Sequence, residues 1–524
     1  MNIGTIASRN AWRYPSKVGL VDANNGQRMT WAEFNSAVNR LAHALLARGL
    51  KKGDAIAIYS RNSLEYMQLF MAGAKTGIII QPMNWRFNAD EIAYTLQDGA
   101  PRGIIVSSEY ADVFRKIPHQ LSSIEFVVGV GAGHGFDLDF HNWIAPLPTA
   151  EPDIVNQVGD DDLYFICYTG GTTGIAKGVM ITHRNALTTC MNMAVAESIS
   201  SDDVYLVMGQ MFHIAVLLPH GYMMHGARVV FLNFEPRKTL EVIQAERVTR
   251  FLAISTMMNY LLDVPEFASF DLKSVRLVSY GGGPFATATL RRAAQAFPGV
   301  GFLQYMGQTE VSIMSAWLGP EDHRLGMTTN PRLLSSCGRE ALLCDCRVVD
   351  ENDRDVPRDG KTPGEMVVRG DNVMRGYWKM PELTAQTLRG GWCHTGDVVT
   401  WDQDGYFYVV DRKKDMIVSG GENIYSPVVE DAIYKHPAVK ECAVIGVPHP
   451  VYGETVKAIV VLCDGMKATE SEIIETCKQH LAGYMKPTSV DFVGELPKAP
   501  TGKLLKRVLR EKYWGGETRR VGGA

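Results

Sequence analysis

Tyr168-Thr-Gly-Gly-Thr-Thr-Gly-Ile-Ala-Lys-Gly178 follows directly on an apolar run at 163–168. Such a run ending abruptly at a Gly/Thr segment predicts a buried strand that opens into a loop. Four glycines let backbone N–H groups approach an anion closely. Thr169, Thr172 and Thr173 add hydroxyl donors, and Lys177 adds a compact charge. Together they point to a polyphosphate cradle. It is not the common P-loop, because that loop needs Ser or Thr after its lysine and here Gly178 follows Lys177.

The run at 276–280 also stops at glycines, Gly281, Gly282 and Gly283, and a helical pattern follows at 286–297. Strand, glycine turn and helix place backbone donors at the carboxyl end of a strand. Short β-like runs at 55–59, 103–106 and 126–130 alternate with helical patterns at 64–75 and 90–98. That alternation predicts layered α/β structure with parallel strands. Thr30 and Glu33 form a candidate capping box before a helical run. From about residue 340 shorter β-runs appear, and then a compact α/β pattern from 427 to 481.

With 524 residues the chain exceeds one ordinary core; domains average about 100–200 residues. Net charge is −4, so no basic field points to nucleic acid. Nine cysteines without paired spacing favour free thiols and a reducing, cytoplasmic setting. Residues 1–16 lack an apolar core for a secretory signal. The longest apolar stretch, 215–232, is interrupted by Pro219, His220, Gly221, His225 and Arg228. It reads as a buried wall rather than a transmembrane segment.

The loop at 168–178 resembles the phosphate loop of the adenylate-forming superfamily, which includes acyl-CoA synthetases, luciferases and peptide-synthetase adenylation domains. Gly170 and Ala176 stand where the family has Ser and Pro. Other segments resemble the family in the same order along the chain: Tyr280-Gly-Gly-Gly-Pro284, Gly307-Gln-Thr-Glu310, Gly376-Tyr-Trp with Pro381-Glu, Trp392-x-x-Thr395-Gly-Asp397, Gly420-Gly-Glu-Asn423 and Pro500-Thr-Gly-Lys503.

The resemblance implies a large N-terminal domain of layered α/β subdomains plus a β-barrel-like subdomain, residues 1–412. A small mobile α+β domain, residues 413–524, would follow a hinge near Lys414. It implies an AMP-forming acyl-CoA synthetase using ATP, Mg²⁺ and CoA. An acid would become acyl-AMP with release of pyrophosphate, and then acyl-CoA. Glu310 would ligate Mg²⁺, and Thr309 would meet the α-phosphate. Thr169, Gly170, Gly171, Thr172, Thr173 and Lys177 would hold phosphates. Gly281, Gly282, Gly283 and Gly307 would flank the adenine. There the family usually stacks an aromatic ring, but this chain has Met306, with Tyr305 just upstream. Asp397 and Arg412 would bind the ribose. Lys503 would bridge carboxylate and α-phosphate. Ser419, Gly420 and Gly421 would line the thiol tunnel. Neighbouring Lys498 and Lys506 read as exposed.

Amino-acid-activating relatives carry Asp at the position of His213, where it pairs with the substrate ammonium; a histidine does not suit that task. Acyl-CoA synthetases often have His there, near the carboxylate entry, so the resemblance implies a catalytic-site place for His213. Acetate-type relatives have Trp at the position of Gly307, so a larger acid is expected here. Ile214, Ala215, Val216, Met257, Met258 and Met314 are candidate lining for a medium- or long-chain fatty acid or an aryl acid. A free-standing ligase loading a carrier protein is the rival reading. A luciferase-like oxygenase and a catalytically silent binder rank lower, and a homodimer is an open assembly state.

Overall fold

The computed structural model describes residues 2–117, 121–169, 176–282, 285, 287–412, 415–419, 422–481, 483–498 and 504–514. The chain forms two compact units. One comprises Met1–Cys346 with Val368–Cys393, the other Arg347–Val367 with His394–Ala524.

Two large sheets build the first unit. One is nine-stranded, with its middle running Gly301–Met306, Leu277–Gly281, Arg250–Leu252, Val204–Val207, Arg228–Phe231 and Val18–Asp22. These six pair in parallel, and antiparallel strands close both edges. The second is eight-stranded, with Leu163–Thr169 lying parallel to Ile79–Pro82. The alternating pattern read from sequence is therefore the parallel layered fold. Thr30 accepts from Glu33 N and Glu33 from Thr30 N, completing the capping box.

The phosphate-loop candidate sits differently from its counterpart at 281–286. Lys177–Thr182 returns antiparallel to Leu163–Thr169, so the loop joins two strands of a hairpin. The next helix, His183–Glu197, begins only after the second strand. The apolar stretch at 215–232 folds into the helix Leu217–Met224 and the strand Arg228–Phe231, and Leu217, Tyr222, Val229 and Phe231 are fully buried. Among the described residues no helix is long and apolar enough to cross a membrane.

A four-stranded sheet follows in the order Cys344–Val349, Gly364–Gly370, Cys393–Trp401, Phe407–Arg412. A separate sheet pairs Val439–His449 with Gly453–Leu462. Helices Ser426–Ile433 and Glu470–Lys478 supply Val429, Ile433, Ile473 and Cys477 to its core, against Val444 and Val460.

One polar anchor in the first unit is buried outright. The Lys75 ammonium is inaccessible and donates to Ser8 Oγ, Asn35 Oδ1, Asn39 Oδ1 and both oxygens of Glu151, at 2.6–3.0 Å. Burial lowers the Lys75 pKa, and the Glu151 charge opposes that shift. Removing one partner strands a buried charge. Glu151 is 38% exposed, so the cost should lie below that of a wholly buried pair. Glu151→Ala should destabilise the first unit by about 2 kcal/mol in urea unfolding.

Candidate active site

The hairpin at 163–182 fixes the foot of the phosphate-loop candidate. Thr169 and Lys177 are register partners, and so are Tyr168 and Gly178. The Tyr168 hydroxyl donates to Asp98 Oδ2 at 2.6 Å. Trp378 Nε1 and Lys379 Nζ donate to the Asp98 carbonyl at 3.1 and 2.5 Å. Gly170, Gly171, Thr172 and Thr173 lie outside the described residues.

Lys177 Nζ stands 5.6 Å from the centroid of the Tyr377 ring. The Tyr377 hydroxyl donates to Glu310 Oε1 at 2.8 Å. Burial, and then the Glu310 charge, push the Tyr377 phenol far up, which keeps it a neutral donor. The same two causes push the buried Cys167 thiol up to about 12. Lysine, tyrosine and carboxylate thus meet beside the foot of the loop.

Glu310 lies in the short turn Thr309–Val311, and Thr309 is buried. Ser312 and Ile313 follow at φ +50° and +84°. A β-branched residue at positive φ is strained and needs its surroundings to hold it. Asn372, fully buried, donates to the carbonyls of Val311 and Met314 at 3.2 and 2.8 Å. Thr189 Oγ1 donates to the Ser312 carbonyl at 2.8 Å. Asn185 Nδ2 in turn holds the carbonyls of Asp371 and Val373, both at 2.8 Å. Tyr377, Asn372, Asn185 and Asp98 carry no role legible from sequence, although Asp98 ends the helical pattern at 90–98 and Tyr377 lies in Gly376-Tyr-Trp.

On the nucleotide-facing candidates, Gly281 and Tyr305 are parallel register partners. A Cβ on Gly281 would sit 2.8 Å from the Tyr305 carbonyl oxygen, so the two strand ends need glycine there. Gly282 has φ +78°, and Gly283 lies outside the described residues. The Tyr305 side chain is 4% exposed, and its hydroxyl donates to the buried Glu197 carboxyl. That makes it part of the floor beneath the site rather than its lining, and leaves the half-buried Met306 as the side chain nearer the surface. Gly307 has a backbone reason for its identity: a Cβ there would lie 2.1 Å from the Ile313 carbonyl oxygen. A bulky side chain at 307 is thus blocked by this backbone, whatever the size of the acid.

On the acid side, His213 is half-buried and its N–H donates to the Gln210 carbonyl at 3.1 Å. Asn62 holds the preceding loop, accepting from Met211 N at 3.0 Å and donating to the Gly209 carbonyl at 2.8 Å. Ile214, Ala215 and Met257 are half-buried, whereas Val216, Met258 and Met314 are fully buried.

In the second unit Asp397 is 3% exposed and is the register partner of Arg412 across an antiparallel pair. Thr395 Oγ1 accepts from Asp397 N at 3.1 Å and donates to the Met366 carbonyl at 2.6 Å. Ser419 pairs with Gly453. Lys414, Gly420, Gly421 and Lys503 lie outside the described residues. Lys506, expected to be solvated, is instead only 13% exposed, with Nζ 2.8 Å from Glu430 Oε1 and 2.5 Å from Ser426 Oγ. It serves as an internal anchor of this unit. Lys498 pairs with Glu441 at 2.7 Å.

Among the described residues no group of three or more His, Cys, Asp or Glu side chains gathers as a protein-built metal cage. Mg²⁺ in nucleotide sites uses one or two carboxylates, with substrate phosphates and water completing its shell. Glu310, with one oxygen bound by Tyr377, fits that mode.

The chain matches the family model described as AMP-binding enzyme over residues 7–378, and the AMP-binding enzyme C-terminal domain over 428–503. It is 36% identical to a feruloyl-CoA synthase of Amycolatopsis sp, covering 94% of this chain and 95% of that one. It is 34% identical to the long-chain-fatty-acid–CoA ligase FadD13 of Mycobacterium tuberculosis, covering 98% of both. It is 30% identical to the fatty acid–acyl-carrier-protein ligase ScoC of Streptomyces coeruleorubidus, covering 95% and 94%. The crystal structure of ATP-bound MatB from Rhodopseudomonas palustris superposes with a TM-score of 0.87 at 28% identity, covering 98% and 99%.

Tyr377→Phe removes the hydroxyl that orients Glu310 and keeps the ring beside Lys177. The Mg²⁺ concentration for half-maximal acid-dependent pyrophosphate release should rise about tenfold, the cost of losing an outer-shell partner. An unchanged Mg²⁺ titration would separate Tyr377 from the metal.

Proposed function

The chain belongs to the AMP-binding enzyme family, and from that premise we propose how it divides its chemistry. It is an ATP-dependent acid–thiol ligase of the adenylate-forming kind. A carboxylate oxygen attacks the α-phosphorus of ATP, and the bond to the β-phosphate breaks, releasing pyrophosphate. A thiol sulfur then attacks the acyl carbon, AMP leaves, and the thiol proton passes to solvent. Both partners of the first step are anionic, so placed positive charge and donors carry most of the catalysis.

Lys177, Thr169 and the loop residues Gly170, Gly171, Thr172 and Thr173 steady the departing pyrophosphate. Glu310 would hold Mg²⁺, which supplies charge neutralisation at the phosphates when bound, and Thr309 donates toward the α-phosphate. Gly281, Gly282, Gly283, Met306 and Gly307 border the adenine, with Tyr305 beneath. Asp397 and Arg412 take the ribose, and their cross-strand pairing supports a shared ligand. Lys503 bridges the reacting carboxylate and phosphate. The observation that carries this reading is the convergence of Lys177, Tyr377 and Glu310 beside the loop.

The functional boundary lies at 412/413 with Lys414 as hinge. Support comes from the gap between the two family-model matches, 379–427, which contains it. Rotation there would withdraw Lys503 and open a thiol path past Ser419, Gly420 and Gly421. The acid is bulky and apolar, of the aryl or medium- to long-chain fatty class, entering past His213 between Ile214, Ala215 and Met257. CoA is the acceptor. The likeness to ScoC favours a carrier-protein thiol as the second reading. Nine free cysteines, eight of them buried, support a cytoplasmic setting.

Pyrophosphate release with acetate, octanoate, palmitate, benzoate and ferulate, with and without CoA, tests the assignment. Turnover of a larger acid with CoA-dependent loss of acyl-AMP is expected. Acyl-AMP that persists in CoA but is consumed by a phosphopantetheinylated carrier protein would replace CoA as acceptor. Lys503→Ala should abolish adenylation while largely preserving thiolation of supplied acyl-AMP. Equal loss of both steps would contradict the rotation.

A further inference from the structure

Glu197 is the last residue of the helix His183–Glu197 and is 4% exposed. Its carboxyl receives two tyrosine hydroxyls, Tyr222 on one oxygen and Tyr305 on the other. Among the described residues no ion pair is made by this carboxyl. Arg250 Nη1 instead binds the Glu197 backbone carbonyl at 2.5 Å, and its Nε binds Asp203 Oδ1 at 2.7 Å. Tyr222 is further fixed by stacking on Tyr205, with centroids 4.1 Å apart and planes 13° apart.

The two tyrosines belong to opposite sides of the reaction. Tyr222 lies on the helix Leu217–Met224, which continues directly from His213, Ile214, Ala215 and Val216 on the acid side. Tyr305 is the penultimate residue of the strand Gly301–Met306, which delivers Met306 and Gly307 to the nucleotide side. The Tyr305 carbonyl is also the atom against which Gly281 packs. The helix that ends in Glu197 starts where the phosphate-loop hairpin stops.

We propose that Glu197 is a positioning residue that ties the acid-side helix to the nucleotide-side strand through Tyr222 and Tyr305, so that the two substrates are registered by one buried carboxyl. It touches neither substrate. The inference rests on the assignment of acid and nucleotide sides made above. Burying a carboxyl with two hydroxyls on separate elements is costly unless all three groups are paired. The pairing therefore holds the helix and the strand at one spacing, and a loss on either arm should appear in the constant for the substrate on that side.

The test is steady-state pyrophosphate release by the full-length enzyme with ATP and whichever of ferulate or palmitate it turns over, together with the melting temperature. Tyr305→Phe should raise KM for ATP about fivefold and leave that for the acid within about twofold, and Tyr222→Phe should do the reverse. Glu197→Ala, or the Tyr222→Phe/Tyr305→Phe pair if the alanine variant does not fold, should raise both. Glu197→Gln can accept from one hydroxyl and donate to the other, and should recover both constants to within about threefold of the native enzyme. Variants that lower the melting temperature but leave both constants within about twofold would reduce Glu197 to a stability element and overturn the proposal. Both constants rising equally in each single tyrosine variant would also overturn it. A native enzyme that releases no acid-dependent pyrophosphate would instead overturn the assignment of the reaction, and this inference with it.

Discussion

The hydrogen bond from Tyr377 to Glu310 is the contact on which the rest of the candidate site depends. As a neutral phenol, Tyr377 fixes one oxygen of Glu310 and brings no charge of its own. The lysine, Lys177, is held over the face of the same ring instead. Tyr377 belongs to Val368–Cys393, the segment of chain that rejoins the first unit after Arg347–Val367 has left it. This return also carries Asn372, so one excursion of the backbone supplies both the donor that aims Glu310 and the clamp that shapes its turn.

That clamp explains how a strained turn survives. Ser312 and Ile313 both hold positive φ, a conformation of a few kcal/mol that packing alone would not secure. The turn persists because its carbonyls are taken one after another by buried side chains from other elements. Asn372 takes Val311 and Met314, and Thr189 takes Ser312. Asn185 then holds the backbone on both sides of Asn372. Thr189 and Asn185 lie on the helix that follows the phosphate-loop hairpin. The turn that carries Glu310 and the helix that follows the loop hairpin are therefore joined by one connected network.

Much of this was legible in the sequence, and what was not has a physical cause. Strand runs such as 163–168 and 103–106 were readable because a strand buried on both faces is apolar throughout. Glu310 and Asp397 stood out as candidates because each sits in a run of turn residues with recognisable company. The return of the phosphate loop as an antiparallel strand was hidden, since Lys177–Thr182 is short and resembles the start of a helix pattern as much as a strand. Asn372 and Tyr377 were hidden for another reason: their partners are about 60 residues away, and pairing at that separation leaves no local period. Lys506 misled because a lysine near a chain end is usually solvated, and nothing local announces Glu430.

Acid size is where the structure most changes the argument. A glycine at 307 first reads as a vacated pocket. Yet the Ile313 carbonyl, brought close by the strained turn, already excludes any side chain there. The residue thus records a backbone contact and says little about the acid. Val216, Met258 and Met314 have no exposed surface and are committed to packing. Enlarging or shrinking them would disturb the core before it altered a substrate. Only Ile214, Ala215 and Met257 retain accessible surface among the lining candidates. Ala215 is the smallest of them and lies two residues from His213. Met257 is flexible and can conform to an aryl ring or an acyl chain with little strain. Among the candidate lining residues, these three are therefore the ones whose replacement can change an accessible surface without first disturbing the core.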